Sequence, residues 1–67
     1  MKVEKLLYYI GGNVNIIIMD FNTECIDDYL WKGIADDIDF QNIPYGESNI
    51  YSITVLDNQL IIILEEE

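Results

Sequence analysis

Residues 50–64 read Ile50-Tyr51-Ser52-Ile53-Thr54-Val55-Leu56, then Asp57-Asn58, then Gln59-Leu60-Ile61-Ile62-Ile63-Leu64. Two apolar runs rich in β-branched residues, separated by two residues that tolerate positive φ, are the signature of a β-hairpin with a primed turn. The register set by that turn places Val55 against Leu60, Ile53 against Ile62 and Tyr51 against Leu64. One side of the hairpin is then apolar throughout. The other carries Ser52 and Thr54 beside Ile61 and Ile63. A hairpin with this much apolar surface is not stable alone; it needs further strands or a helix to cover it.

Working outward, residues 14–21 (Val-Asn-Ile-Ile-Ile-Met-Asp-Phe) supply a strand with Val14, Ile16 and Ile18 on one side and Ile17, Met19 and Phe21 on the other. A strand apolar on both faces belongs in the middle of a sheet. Asn22-Thr23-Glu24 reads as a turn, and residues 29–35 as a second strand in which Gly33 marks a bulge or a close approach. Near the N-terminus, Val3, Leu6, Leu7 and Ile10 fall at i, i+3, i+4 and i+7, one face of a short helix over residues 2–10. Gly11-Gly12 stops it. Residues 36–49 are irregular: Asp36 or Asp37 caps one helical turn, and Pro44 and Gly46 break anything longer. The expected fold is a single α+β domain over residues 1–67, an N-terminal helix packed on a four-stranded, mainly antiparallel sheet that ends in the hairpin.

The composition narrows the function. The 67 residues carry 13 carboxylates against three lysines, with no arginine or histidine, for a net charge of −10. Lys2, Lys5 and Lys32 do not make a cationic patch for nucleic acid. At 51% hydrophobic residues, the chain is too apolar for an acidic disordered tail. Without histidine there is no ordinary proton shuttle near neutral pH, and without arginine no bidentate phosphate clamp, so the expectation is a protein that is not an enzyme and uses no cofactor. A lone Cys25 forms no internal disulfide and is expected to be a small buried hydrophobe. The first ten residues do not read as an export signal, and no apolar run approaches the ~20 residues of a bilayer span. The expected compartment is therefore the cytoplasm of a bacterial host cell.

The densest charge lies between residues 20 and 39, where Asp20, Glu24, Asp27, Asp28, Asp36, Asp37 and Asp39 are opposed only by Lys32. Asp37-x-Asp39-x-Gln41 opens like a calcium loop, but Asn42 stands where that loop needs glycine and Ser48 where it needs a bidentate glutamate. No metal site is expected. Two readings of the acids remain. In one they imitate the phosphate spacing of nucleic acid and enter a basic groove; in the other they only keep a small apolar protein soluble. The thirteen isoleucines and six asparagines fit translation of an AT-rich genome, which also favours lysine, so the shortage of lysine tilts the reading toward a purposeful negative surface.

The order of segments resembles that of small acidic orphan proteins encoded by phages and prophages of AT-rich bacteria. An amphipathic helix leads to an apolar strand ending in Asp20-Phe21-Asn22. Next come Trp31-Lys32-Gly33 and the acidic Asp36-Asp37-Ile38, and a hairpin closes the chain. The resemblance is one of type and covers most of the length. It implies an anti-CRISPR or other anti-defence inhibitor whose partner is a basic nucleic-acid-binding host protein. In that reading Asp27, Asp28, Asp36, Asp37 and Asp39 supply the field, with Trp31 or Tyr45 as an apolar anchor. The alternative is a homo-oligomeric assembly protein, dimeric through the spare isoleucines Ile61 and Ile63 on the second sheet face.

Overall fold

In the computed structural model, which describes residues 1–66, the chain forms a small α+β fold. Helix α1 (Val3–Leu7) is followed by strands β1 (Asn15–Met19), β2 (Trp31–Ile34), β3 (Ile50–Leu56) and β4 (Gln59–Leu64), with short 3-10 turns at Ile26–Asp28 and Ala35–Asp37. The strands form one sheet in the order β2-β1-β4-β3. β1 is antiparallel to β2, and β3 to β4, as the hairpin pattern requires, but the central pair β1 and β4 is parallel. The sheet is therefore mixed. The cause is the path of the chain. After β2 it crosses one face over residues 35–49 and starts β3 at the far edge, running in the same direction as β2. The hairpin then folds β4 inward beside β1.

The turn Asp57-Asn58 has φ of 52° and 62°, the left-handed pair a two-residue hairpin loop needs. Val55 faces Leu60 and Ile53 faces Ile62, but the register slips between Ile50 and Ser52, so that Ile50, and not Tyr51, lies opposite Leu64. The irregularity frees Tyr51 to meet Phe21 edge to face at 4.7 Å.

The face crossed by the chain holds the main core. Val3 and Leu7 of α1, Ala35 and Ile38 of the crossing segment, and Ile16, Ile18, Ile62 and Leu64 of the sheet are buried together. Leu6 and Ile10 complete the helix stripe against this core, although the helix itself is one turn shorter at its C-terminal end than the stripe. Gly12, at φ +86°, supplies the left-handed reversal into β1. Gly33 pairs regularly with Ile16, so it forms no bulge. The close approach there is the Trp31 indole, whose Cη2 lies 2.6 Å from where a Cβ on Gly33 would stand.

The second face gathers Ile17, Met19 and Ile61 into a smaller buried cluster with Ile63 packed against it. The pairing explains why Ile61 is only 6% exposed and does not form the spare patch expected of it. Its row across the sheet runs Lys32, Ile17, Ile61, Thr54, so isoleucines occupy the central strands and longer polar or hydroxyl side chains flank them on the edges. Asp36 and Asp37 do not cap their turn: its N-cap is Ile34, with no side-chain cap. Cys25 is exposed, because the loop after β1 carries it beyond the sheet.

A candidate acidic binding pole

The strand directions sort the carboxylates into two ends of the sheet. At one pole β1 and β4 finish and β2 and β3 begin; at the other are the β3–β4 turn, the end of β2 and the start of β1. The first pole collects Asp20, Glu24, Asp27, Asp28, Glu47, Glu65 and Glu66 from segments far apart in sequence, all exposed. The opposite pole has Asp36, Asp37, Asp39 and Asp57. The expected cluster over residues 20–39 is thereby divided. Asp27 and Asp28 lie at the first pole and Asp36, Asp37 and Asp39 at the second, with the four residues of β2, about 13 Å of extended chain, between them.

Two carboxylates of the second pole are engaged by the fold. Asp36 Oδ1 accepts the Gly12 N–H at 2.7 Å and pins the reversal before β1 to the end of β2. Asp39 Oδ1 accepts the Gln41 N–H at 2.9 Å, closing a local turn just after the 3-10 turn has ended.

The first pole has a depression of about 630 Å³, lined by Asp20, Asn22, Leu30, Tyr45, Glu47, Ser48, Asn49, Leu64, Glu65 and Glu66. None of these residues is cationic; the cations held closest along the chain are Lys2 and the amino terminus, docked at Asn49 and Ile50. Backbone bonds fix the walls of the depression. The Leu30 N–H donates to the Ile18 carbonyl at 2.7 Å and the Glu65 N–H to the Asn49 carbonyl at 2.9 Å. The Val3 and Glu4 N–H groups at the start of α1 donate to Ser48 and Gly46 carbonyls at 3.0 Å, tying the loop that carries Tyr45 and Glu47 to the helix.

Tyr45 sits on this wall with φ of 54° and 43% of its surface exposed. A left-handed backbone is unfavourable for a bulky aromatic residue, and such strain is held where the surroundings dictate it. Here the turn is closed by the Gly46 N–H donating to the Ile43 carbonyl and the Ser48 N–H to the Tyr45 carbonyl. Gly46 is buried, and any Cβ there would meet Glu4 Cβ and the Ile43 carbonyl at 3.2 Å. The loop has no slack to relieve Tyr45. Trp31, the other expected anchor, is half-buried against the main core, lying over Gly33.

Sequence reasoning missed the contribution of Glu47, Glu65 and Glu66, since only the parallel β1–β4 pairing brings the two chain regions to one end. It also missed Phe40, which is 51% exposed and meets Tyr8 edge to face at 5.7 Å. Tyr8, Tyr9 and Phe40 line a separate shallow groove beside α1 with Glu4, Lys5 and Ile43. Among the described residues no group of three or more acidic or cysteine side chains is placed to hold a metal ion. Among the described residues no helix is long and apolar enough to cross a membrane. No family model, curated protein or solved structure matches the chain.

Proposed function

We propose that this is a non-enzymatic binding protein whose first pole enters the basic nucleic-acid groove of a partner protein, in the manner of a phage-type inhibitor of host defence. The observation that carries the reading is the pole itself. Asp20, Glu47, Glu65 and Glu66 surround one depression with no lysine in its lining, and a strained, part-exposed Tyr45 stands on its wall. A groove built for phosphates is lined with lysine and arginine, and a predominantly acidic surface is steered to it and competes with nucleic acid for it. Tyr45 and Leu30 give such a surface an apolar contact amid the charge, the kind of residue that anchors an interface.

The test is affinity capture from bacterial lysates, washed at rising salt, with three baits: the wild type, Asp20→Asn/Glu47→Gln/Glu65→Gln/Glu66→Gln, and Asp37→Asn/Asp57→Asn. The reading predicts a nucleic-acid-binding protein retained by the first and third baits and released steeply by salt. If acids serve only solubility, the two variants behave alike, and the proposal fails.

A further inference from the structure

The two edges of the sheet are built differently. β2 is four residues long, carries Lys32, and is bracketed by Asp27, Asp28, Asp36 and Asp37. Short length and charge are the usual protections of an edge. β3 is seven residues long, contains no charged residue, proline or glycine, and leaves Tyr51, Ile53, Val55 and Leu56 exposed, Val55 at 71%. Ile53 and Val55 continue the rows of the main core face beyond the layer that covers it, since their cross-strand partners Ile62 and Leu60 lie on β4.

The free part of the β3 edge is bounded. At its start the Ile50 N–H donates to the Met1 carbonyl at 2.8 Å, and Lys2 pairs antiparallel with Asn49. At its end the chain turns away at Asp57-Asn58. Leu56 closes the two-residue turn with Gln59, so the backbone groups of Leu56, Thr54 and Ser52 point to β4 and those of Ile53 and Val55 point outward. Among the described residues, no backbone bond outside the ladders engages Ile53 or Val55.

We infer that β3 pairs antiparallel with β3 of a second copy of this chain, with Thr54 on the two-fold axis, making one continuous eight-stranded sheet. Thr54 is the midpoint of the free stretch Ser52–Leu56. In this register Thr54 faces Thr54, and Ile53 of each copy faces Val55 of the other, exchanging N–H···O bonds through the outward groups of both. The charges agree. Asp57 of one copy comes opposite Tyr51 of the other, next to the amino terminus and Lys2 held at the start of β3, while β3 itself brings no carboxylate to the seam. The β2 edge has no such self-match, because its flanking aspartates would face one another. The contact is short, so the dimer is weak and concentration-dependent. Each copy carries −10, so added salt tightens the dimer, opposite to its effect on partner binding at the acidic pole.

The test is sedimentation equilibrium of the full chain from micromolar to millimolar concentration, at low and high salt, for the wild type, Ile53→Lys and Val55→Pro. Proline at position 55 removes an outward N–H and leaves the β4 ladder intact. The expected result is a wild-type dimer strengthened by salt and monomeric variants with unchanged circular dichroism. In parallel, hydrogen exchange of the Ile53 and Val55 amides in the wild type slows as concentration rises, a readout that needs no variant to fold. A wild type monomeric at millimolar concentration, a dimer that survives both substitutions, or exchange at these amides that ignores concentration would each overturn the inference.

Discussion

Gly33 shows how a single residue is set by its neighbour. The Trp31 ring occupies the space of a Cβ at position 33, so Gly33→Ala must push the indole off the sheet. The expected cost is about 1 kcal/mol, at the low end for overpacking because the displaced ring is half-buried. Trp31 is the only tryptophan, so its emission shifts to the red in that variant, which fluorescence checks directly. Asp36 is a second case. Replacing it by Ala removes the acceptor for the Gly12 N–H and costs about 1 kcal/mol. In a domain of this size that lowers the melting temperature by roughly 4–8 °C. Asp37→Ala, which removes no side-chain hydrogen bond among the described residues, leaves it unchanged. Tyr45 runs the other way. Tyr45→Gly relieves a left-handed backbone at an exposed side chain, so thermal stability holds or rises while partner binding falls. A loss of both would make Tyr45 a packing residue and remove it from the site.

At the scale of elements, the hairpin was legible because turn chemistry and periodicity act within a few residues. Asp57-Asn58 fixed the pairing of Val55 and Ile53 correctly. The bulge at Ile50 and Ser52 was not legible; it lies where the N-terminal residues dock on the edge at Asn49 and Ile50, a long-range contact with no local signal. β1 was recognisably central from Ile16, Ile17 and Ile18, all buried. The parallel pairing with β4 was hidden, because it depends on residues 35–49 crossing the sheet, and that crossing has no local signal. The same blindness split the candidate site. Asp27 and Asp36 are near in sequence yet lie at opposite ends of β2, whereas Asp20 and Glu65 are distant in sequence and end adjacent strands. The turn offers a direct check. Asn58→Gly places glycine at a left-handed position after Asp57 and stabilises the fold by up to about 1 kcal/mol, read from chemical denaturation. A loss of stability would contradict the turn assignment.

At the scale of the molecule, the shortest dimension is 15 Å, room for the sheet and one covering layer. The layer covers one face, the polar edges ring the other, and the carboxylates are left to the two poles and the loops. A chain of net charge −10 tolerates this arrangement best when like charges are far apart. Placing seven of them at the first pole runs against stability, a cost that the proposed partner surface would account for. It follows that neutralising Asp20, Glu47, Glu65 and Glu66 raises the melting temperature at low salt, and that the gain shrinks as salt screens the pole. Competition with DNA decides whether the first pole enters a nucleic-acid groove. The captured partner is bound to labelled DNA and titrated with the wild type, with that first-pole variant, and with Asp37→Asn/Asp57→Asn. DNA is expected to be released by the wild type and the opposite-pole variant, and at least about tenfold more weakly by the first-pole variant. Equal release by all three, or none by the wild type, would contradict the proposed entry into such a groove.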